Sequence, residues 1–383
     1  MTIVFSAIVA AFVGFAASVA VVLSAAQAIG ATQAQTVSWV AGLAIAQGLA
    51  SIFLSWRHRL PIICAWSTPG AALIAAVSGF DLATAVGAFL AAAALIMLTA
   101  TFKPLGTLIE RIPMSIASAM LAGVIFRFVV AVFDQMRLAP VLVLLPLGVF
   151  LLARLLNPFL GVIAALLAGL AFSFGTGAAT LPGLPALTEI VLVWPRFDAT
   201  AIIGIGIPLY LVTMAAQNLP GFAVLRAAGY NPPTSSCLFV TGLMSFVTAP
   251  TGAHMVNMAA ISAAICTGAD THPDPKQRWK AGIVYGGLYL LIAATAGLLL
   301  ALIVAMPKPL IVAVAGLGLV GSLTGALAQA MAKDAERFAA VIAFSVAASS
   351  LSLFGIGSAF WSLVAGLAVL TLDALAGRLR ARS

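Results

Sequence analysis

A helix-start signal set inside apolar sequence constrains this chain more than any other feature. The stretch AWSTPGAALIAA, Ala65 to Ala76, places Ser67 and Thr68 ahead of Pro69 and Gly70. A hydroxyl residue before proline opens a helix: its oxygen caps free N–H groups, and proline suits the first helical position. A helix that opens at membrane depth leaves its first N–H groups unpaired. Such a start is tolerated only where it is buried in protein or lines a cavity, and its positive dipole end then favours an anion. The stretch FVTAPTGAHMVNMAA, Phe246 to Ala260, repeats the order of hydroxyl, proline, glycine and small apolar residues. Two broken spans in matching halves point to a transporter site near the bilayer midplane.

Composition makes the membrane obligatory. The chain is 63% hydrophobic and 7% charged over 383 residues, whereas a soluble domain is about a quarter charged. At roughly 20 apolar residues per crossing, charged and Pro/Gly breaks divide it into about fourteen segments. A net charge of +8 would suit nucleic acid, but its distribution excludes that partner. With a cytoplasmic N-terminus, Arg137, Arg196 and Lys308 fall outside and Arg127 falls within a span. That leaves fourteen of the eighteen Lys and Arg (18 − 4 = 14) on cytoplasmic loops, the positive-inside bias. Both termini are then cytoplasmic. Cys64, Cys237 and Cys266 sit in or beside spans without a CxxC pattern and read as small buried hydrophobes. The first apolar stretch has no basic segment ahead of it and reads as a span, not a cleaved signal.

The expected domains are a first seven-span repeat over 1–178, a periplasmic connector over 179–198, and a second, inverted repeat over 199–383. In the connector, LTEIVLVW suits an interfacial helix with Trp194 at the headgroups. Three matches suggest the duplication: AAQ at Gln27 and Gln217, offset 190 (217 − 27); Pro69 and Pro250, offset 181 (250 − 69); and an AG pattern at Leu121 and Val314, offset 193 (314 − 121). An odd number of spans per half turns the second half upside down.

Polar residues are scarce where the repeats would converge. The substrate-binding candidates are Gln27 of span 1; Trp66, Ser67, Thr68 and Gly70 of span 3; Tyr210, Gln217 and Asn218 of span 8; and Thr251, Gly252 and Asn257 of span 10. Tyr210 and Gln217, two helical turns apart, should share a face. No Asp or Glu occurs in spans 1, 3, 8 or 10. Helix N-termini with amides and hydroxyls, lacking fixed negative charge, suit an anion better than a cation. His254 is the histidine within a span, and its ordinary titration range suits a proton carrier. Each residue has a plainer reading: Gln27 and Gln217 as glue between helices, His254 as a satisfied core histidine, Trp66 as packing, and Arg127 as half of a snorkelling pair with Asp134. No nucleophile–base pair, metal-spaced cluster or nucleotide motif is present, so neither an enzyme nor a cofactor is expected.

At PIICAWSTPGAALIAA and APTGAHMVNMAAISAAI, with the AAQ motif ahead of them, the chain resembles the benzoate:proton symporter family of bacteria, a branch of the nucleobase and anion transporter fold. The resemblance covers nearly the whole length. It implies an all-α polytopic fold of two inverted seven-span repeats. In that fold, spans 3 and 10 each pair a short strand with a half-helix. Spans 1–4 and 8–11 then form a core domain, and spans 5–7 and 12–14 a gate domain. It also implies proton-coupled uptake of benzoate or a close aromatic acid across the inner membrane. The partners are the acid, protons and the lipid bilayer, with a homodimer left open. In the nucleobase branch span 8 offers a carboxylate or histidine. Here the stretch is Ala216-Gln217-Asn218, which fits an anion better. A carrier for another small organic or inorganic anion, or for a nucleobase, remains the alternative within transport. An anion channel is the alternative of a different class, and it would need a continuous polar lining.

Overall fold

The computed structural model describes residues 2–102, 113–156, 160–179, 188–349, 351–353 and 356–380. Lys103, Arg111, Leu187 and Arg382 lie outside the described residues.

The first half runs α1 (Ile3–Ala28), α2 (Gln33–His58), β1 (Cys64–Trp66), α3 (Thr68–Ala75), α4 (Leu82–Thr101), α5 (Met114–Gln135), α6 (Pro140–Leu156) and α7 (Leu160–Gly175). The second runs α8 (Ala199–Ala227), α9 (Thr234–Thr248), β2 (Val256–Met258), α10 (Ile261–Thr267), α11 (Trp279–Ala294), α12 (Ala296–Val304), α13 (Lys308–Ala330), α14 (Arg337–Ala348) and α15 (Ser358–Arg380). Caps set several starts. Thr32 and Gln35 form a capping box on α2, and Asp81 accepts from Thr84 N–H at 2.9 Å on α4. Among the described residues seven helices are each long and apolar enough to cross a bilayer. The pair α11–α12, bent by 67°, makes an eighth.

The two halves meet at the strands. β1 and β2 pair antiparallel, with Ala65 opposite Asn257, and each leads into a half-helix. This is the inverted repeat in physical form: two extended segments lie head to tail, and two short helices leave them in opposite senses. Val256 follows Cys64 by 192 residues (256 − 64), close to the AAQ and AG offsets. The offset of 181 between Pro69 and Pro250 was therefore a chance match. Pro250 lies in a 3-10 turn, Ala249–Thr251, that ends α9, and α10 opens only at Ile261.

α1–α4 pack with α8–α11 as one body, and α5–α7 with α13–α15 as the other. Backbone-to-backbone approach needs glycine at the crossings. A Cβ on Gly48 of α2 would meet Gly286 O of α11 at 2.9 Å, and one on Gly316 of α13 would meet Phe128 O of α5 at 2.5 Å. α8 is interrupted by π-turns at Ile202–Gly206 and Met214–Asn218. Each inserts a residue and turns the following face by about 100°.

The connector corrects one expectation. Residues 188–198 carry no helix; they cross the Asp81 end of the molecule as an extended strap. Backbone bonds pin it, from Val193 N–H to Pro250 O at 2.7 Å and from Arg196 N–H to Ala83 O at 2.9 Å. Arg196 also pairs with Asp81 at 3.0 Å. Polar anchors on other elements, at Pro250, Ala83, Asp81, Ala294 and Ser38, replace the internal hydrogen bonds that a helix would have made. Thr188 donates to Ala294 O and Ser38 bonds Val191, both at the same end. Arg127 also differs from expectation: among the described residues it forms no ion pair with Asp134, and one guanidinium nitrogen is buried without a partner.

Candidate substrate cavity

A cavity of about 430 Å³ lies where the two half-helices begin, between the two helical bodies. Thr68 and Pro69 of α3 border it from one repeat, and Ala260, Ile261 and Ser262 of α10 from the other. Trp66 and Tyr289 form an aromatic wall, with ring centroids 5.8 Å apart in an edge-to-face arrangement. α13 faces them across the space with Gly318, Gly321 and Gly325, and a Cβ on Gly321 or Gly325 would meet nothing within 4 Å. No side chain in this lining carries a formal charge at neutral pH. The volume lies in the range of small-molecule sites, about 300–1,000 Å³. Met114, at the start of α5, and the exposed Gln329, near the end of α13, mark its mouth. That is the end where Lys333, Glu336 and Arg337 form ion pairs. The opposite end lies under the strap.

The two half-helix starts differ. At α3 the Ser67 hydroxyl accepts from Gly70 N–H at 3.1 Å, Ala71 N–H donates to Ser67 O at 2.8 Å, and Pro69 has no N–H. Only the Thr68 N–H is left. At α10 the residue before the helix is Ala260, which has no side chain to cap with. The first backbone bond runs from Ala264 N–H to Ala260 O, so Ile261, Ser262 and Ala263 keep unpaired N–H groups among the described residues.

A broken-strand core and an uncharged aromatic cavity invite comparison with known proteins. The family model for the benzoate membrane transport protein, BenE, matches residues 1–372. This chain belongs to that family. It is 39% identical over 376 residues to inner membrane protein YdcO of Escherichia coli (strain K12), covering 97% of this chain and 96% of that one. It is 31% identical over 364 residues to the benzoate membrane transport protein of Acinetobacter baylyi, covering 94% and 91%. Among solved structures it resembles the transmembrane domain of a cyanobacterial bicarbonate transporter, BicA, with a TM-score of 0.62 at 16% identity, covering 95% and 96%. It also resembles the murine anion transporter Slc26a9 in the inward-facing state, with a TM-score of 0.61 at 13% identity, covering 98% and 68%. The last two establish the fold: an all-α membrane protein with the inverted-repeat architecture of these transporters. The chain is thus a multi-pass membrane transporter and not an enzyme.

Of the residues singled out in the sequence, Trp66, Thr68 and Gln217 border the cavity of this benzoate transport family member. The others sit elsewhere, each for a visible reason. Gln27 is exposed at the end of α1, beyond the cavity. Ser67 is spent on capping. A Cβ on Gly70 would meet Leu209 at 2.5 Å, so this glycine admits α8 rather than a ligand. Tyr210 is turned to Thr99, 2.5 Å away, because the π-turn at Met214–Asn218 breaks the shared face with Gln217. Asn218 accepts from Met258 N–H at 2.9 Å and so closes the free edge of β2. Thr251 donates to Thr248 O, and Gly252, at φ +92°, makes the turn beside Trp39. Asn257 lies within β2 with its amide turned to Ser67 N–H and Met258 O.

His254 is fully buried, and both ring nitrogens are used. Its Nδ1 accepts from Trp39 Nε1–H at 3.0 Å, and its Nε2–H donates to Ser67 O at 2.8 Å. These partners fix the neutral tautomer. A second proton on Nδ1 would point at the Trp39 N–H. His254 precedes β2 and lies outside the α10 half-helix. Sequence reasoning missed Gln47, Ser262 and Tyr289. Gln47 and Tyr289 reach the half-helix starts only through the packing of α2 and α11, and no sequence pattern marks them.

Proposed function

We propose that this chain is a symporter that carries benzoate or a closely related aromatic carboxylate into the cell with a proton. It works by alternating access in the bacterial inner membrane, with both termini cytoplasmic. The observation that carries the reading is the uncharged cavity walled by Trp66 and Tyr289. A flat apolar ring gains from burial against such walls by about 25 cal/mol per Å². A small hydrated inorganic anion gains nothing there. The polar groups are few and convergent: Gln217, Thr68, Ser262 and the free N–H groups of α10. The benzoate transport relative and the absence of acidic side chains from the lining support the same substrate class. The cavity mouth lies at the cationic end, which positive-inside bias assigns to the cytoplasm, so the state described is inward-facing. An anion moving toward a negative interior needs coupling, and proton symport would make the movement electroneutral.

The test is uptake of labelled benzoate into proteoliposomes with and without an inward proton gradient, each set against protein-free liposomes. Protein-dependent accumulation that collapses with the gradient is expected. Accumulation insensitive to the gradient would rule out the symport.

A further inference from the structure

Gln47 of α2 is fully buried and borders the cavity beside Trp66 and Tyr289, and neither its amide oxygen nor its amide nitrogen has a hydrogen-bond partner. The Tyr289 hydroxyl lies close enough to interact with the amide, but no hydrogen bond of good geometry joins them. Tyr289 donates to Ala11 O at 3.3 Å, and Ser262 donates to Ala10 O at 3.1 Å. Tyr285, packed on Tyr289 with ring centroids 4.8 Å apart, has an unpaired hydroxyl of its own. Buried amides are nearly always paired, and an orphaned one asks for a partner that arrives later.

The chemistry of that partner follows from the two empty atoms. A primary amide presents an acceptor oxygen and a donor nitrogen side by side. A carboxylate only accepts, so it could satisfy Nε2 but would set its charge against Oε1. A protonated carboxylic acid offers one O–H and one carbonyl. Its O–H donates to Gln47 Oε1 while Gln47 Nε2–H donates to its carbonyl, closing a two-bond ring. The cavity has no cationic side chain and His254 faces away from it, so only the partial positive charge of the α10 N–H groups would oppose a full negative charge there.

We propose that Gln47 binds the substrate as its neutral carboxylic acid, so that the coupled proton travels on the substrate. The inference rests on the reading of the chain as an aromatic-acid symporter. The carboxylate takes its proton from water on the outer side, crosses as the acid, and returns the proton to water on the inner side. No side chain of the protein changes its protonation.

The test is equilibrium binding to the purified protein by calorimetry between pH 5.5 and 7.5, which avoids passive leakage of benzoic acid through lipid. With a carboxyl pKa of about 4, the neutral fraction falls tenfold per pH unit. The Kd expressed as total benzoate is therefore expected to rise about tenfold per unit. Benzamide, neutral throughout and carrying the same donor–acceptor edge, is expected to compete with a Kd that does not vary with pH. Gln47→Leu is expected to fold at least as stably, because it removes an unpaired polar group, and to lose tenfold or more in affinity for both compounds. A benzoate Kd that stays constant over the range, with no competition by benzamide, overturns the neutral-acid inference and leaves the benzoate reading intact. A Leu variant that keeps wild-type affinity overturns the role of Gln47. Failure of benzoate to bind at any pH overturns the reading itself. If the Leu variant does not fold, the pH series and the benzamide competition on the wild-type protein still decide.

Discussion

The two half-helices occupy equivalent places in the repeats, yet their starts are chemically opposite. α3 opens on Ser-Thr-Pro-Gly and spends its own N–H groups, leaving one. α10 opens on Ala-Ala-Ile-Ser and leaves three. Duplication supplies two matching backbone positions, and sequence then makes one a strut and the other a polar surface on the cavity. The difference shows why a symmetric scaffold need not hold its substrate symmetrically. α3 contributes shape through Trp66 and Thr68, and α10 contributes unpaired donors.

The largest effect should come from giving α10 the cap that α3 already has. Ala260→Asp places a carboxylate where it can accept from the free N–H groups. Capping of this kind stabilises a helix by about 0.5–2 kcal/mol. It also fills the donor surface and adds a fixed negative charge to an uncharged cavity. Thermal stability should rise while uptake of labelled benzoate is lost. Retained uptake at the higher stability would show that the free N–H groups of α10 do not matter, and the contrast between the half-helices would lose its functional meaning.

Adjacent residues of α8 sharpen the contrast on a smaller scale. Gln217 borders the cavity and makes no hydrogen bond to a described protein group, whereas Asn218 holds Met258 N–H. Asn218→Ala leaves a buried N–H without a partner and should cost about 1–3 kcal/mol of stability. Gln217→Ala should leave the melting temperature unchanged and weaken benzoate binding by up to a similar amount. Calorimetric binding and thermal melts on both variants decide it. If the two profiles are exchanged, Gln217 holds β2 and Asn218 meets the substrate, and the contrast between them reverses.

Much of the fold was legible because its signals are local. The caps Thr32, Asp81 and Asp198 emerge from the structure, whereas apolar length and charged breaks mark where helices cross. The Ser-Thr-Pro-Gly start of α3 was legible for the same reason. The start of α10 was not, because the missing cap that frees its N–H groups also removes the sequence signal. Pro250 supplied a false signal in its place, a turn closing α9 that only mimics a helix opening. Gln47 escaped because its importance lies in an unmade hydrogen bond, a property of three-dimensional neighbours. The π-turns of α8 have no sequence mark either, and one extra residue there moved Tyr210 away from Gln217.

His254 tests whether the strut half of the comparison is structural only. Its Nε2–H to Ser67 O bond holds the carbonyl that also accepts from Ala71 N–H. His254→Gln can keep one of the two side-chain bonds, so stability should fall by roughly 1 kcal/mol. Proton-driven accumulation should persist. A variant that exchanges benzoate but no longer concentrates it would make His254 the proton carrier after all.

The smallest effect is expected at the cap itself. Ser67 is fully buried; its hydroxyl accepts from Gly70 N–H at 3.1 Å and shares a hydrogen bond with Thr213 at 3.1 Å. Ser67→Ala removes both. Loss of an N-cap typically costs about 1 kcal/mol. Thr213 can turn its hydroxyl back to a carbonyl of its own helix, a common alternative for threonine, so its share of the cost should be slight. The exposed donor, Gly70 N–H, points at the Ser67 side and not at the cavity, which Gly70 does not border. Removing the cap therefore should not create a second donor surface like that of α10. A melting temperature lower by a few degrees, with benzoate affinity within twofold of wild type, is the expected result. If affinity changes by tenfold while stability holds, the start of α3 touches the substrate, and the two half-helices share a task that their caps had seemed to divide.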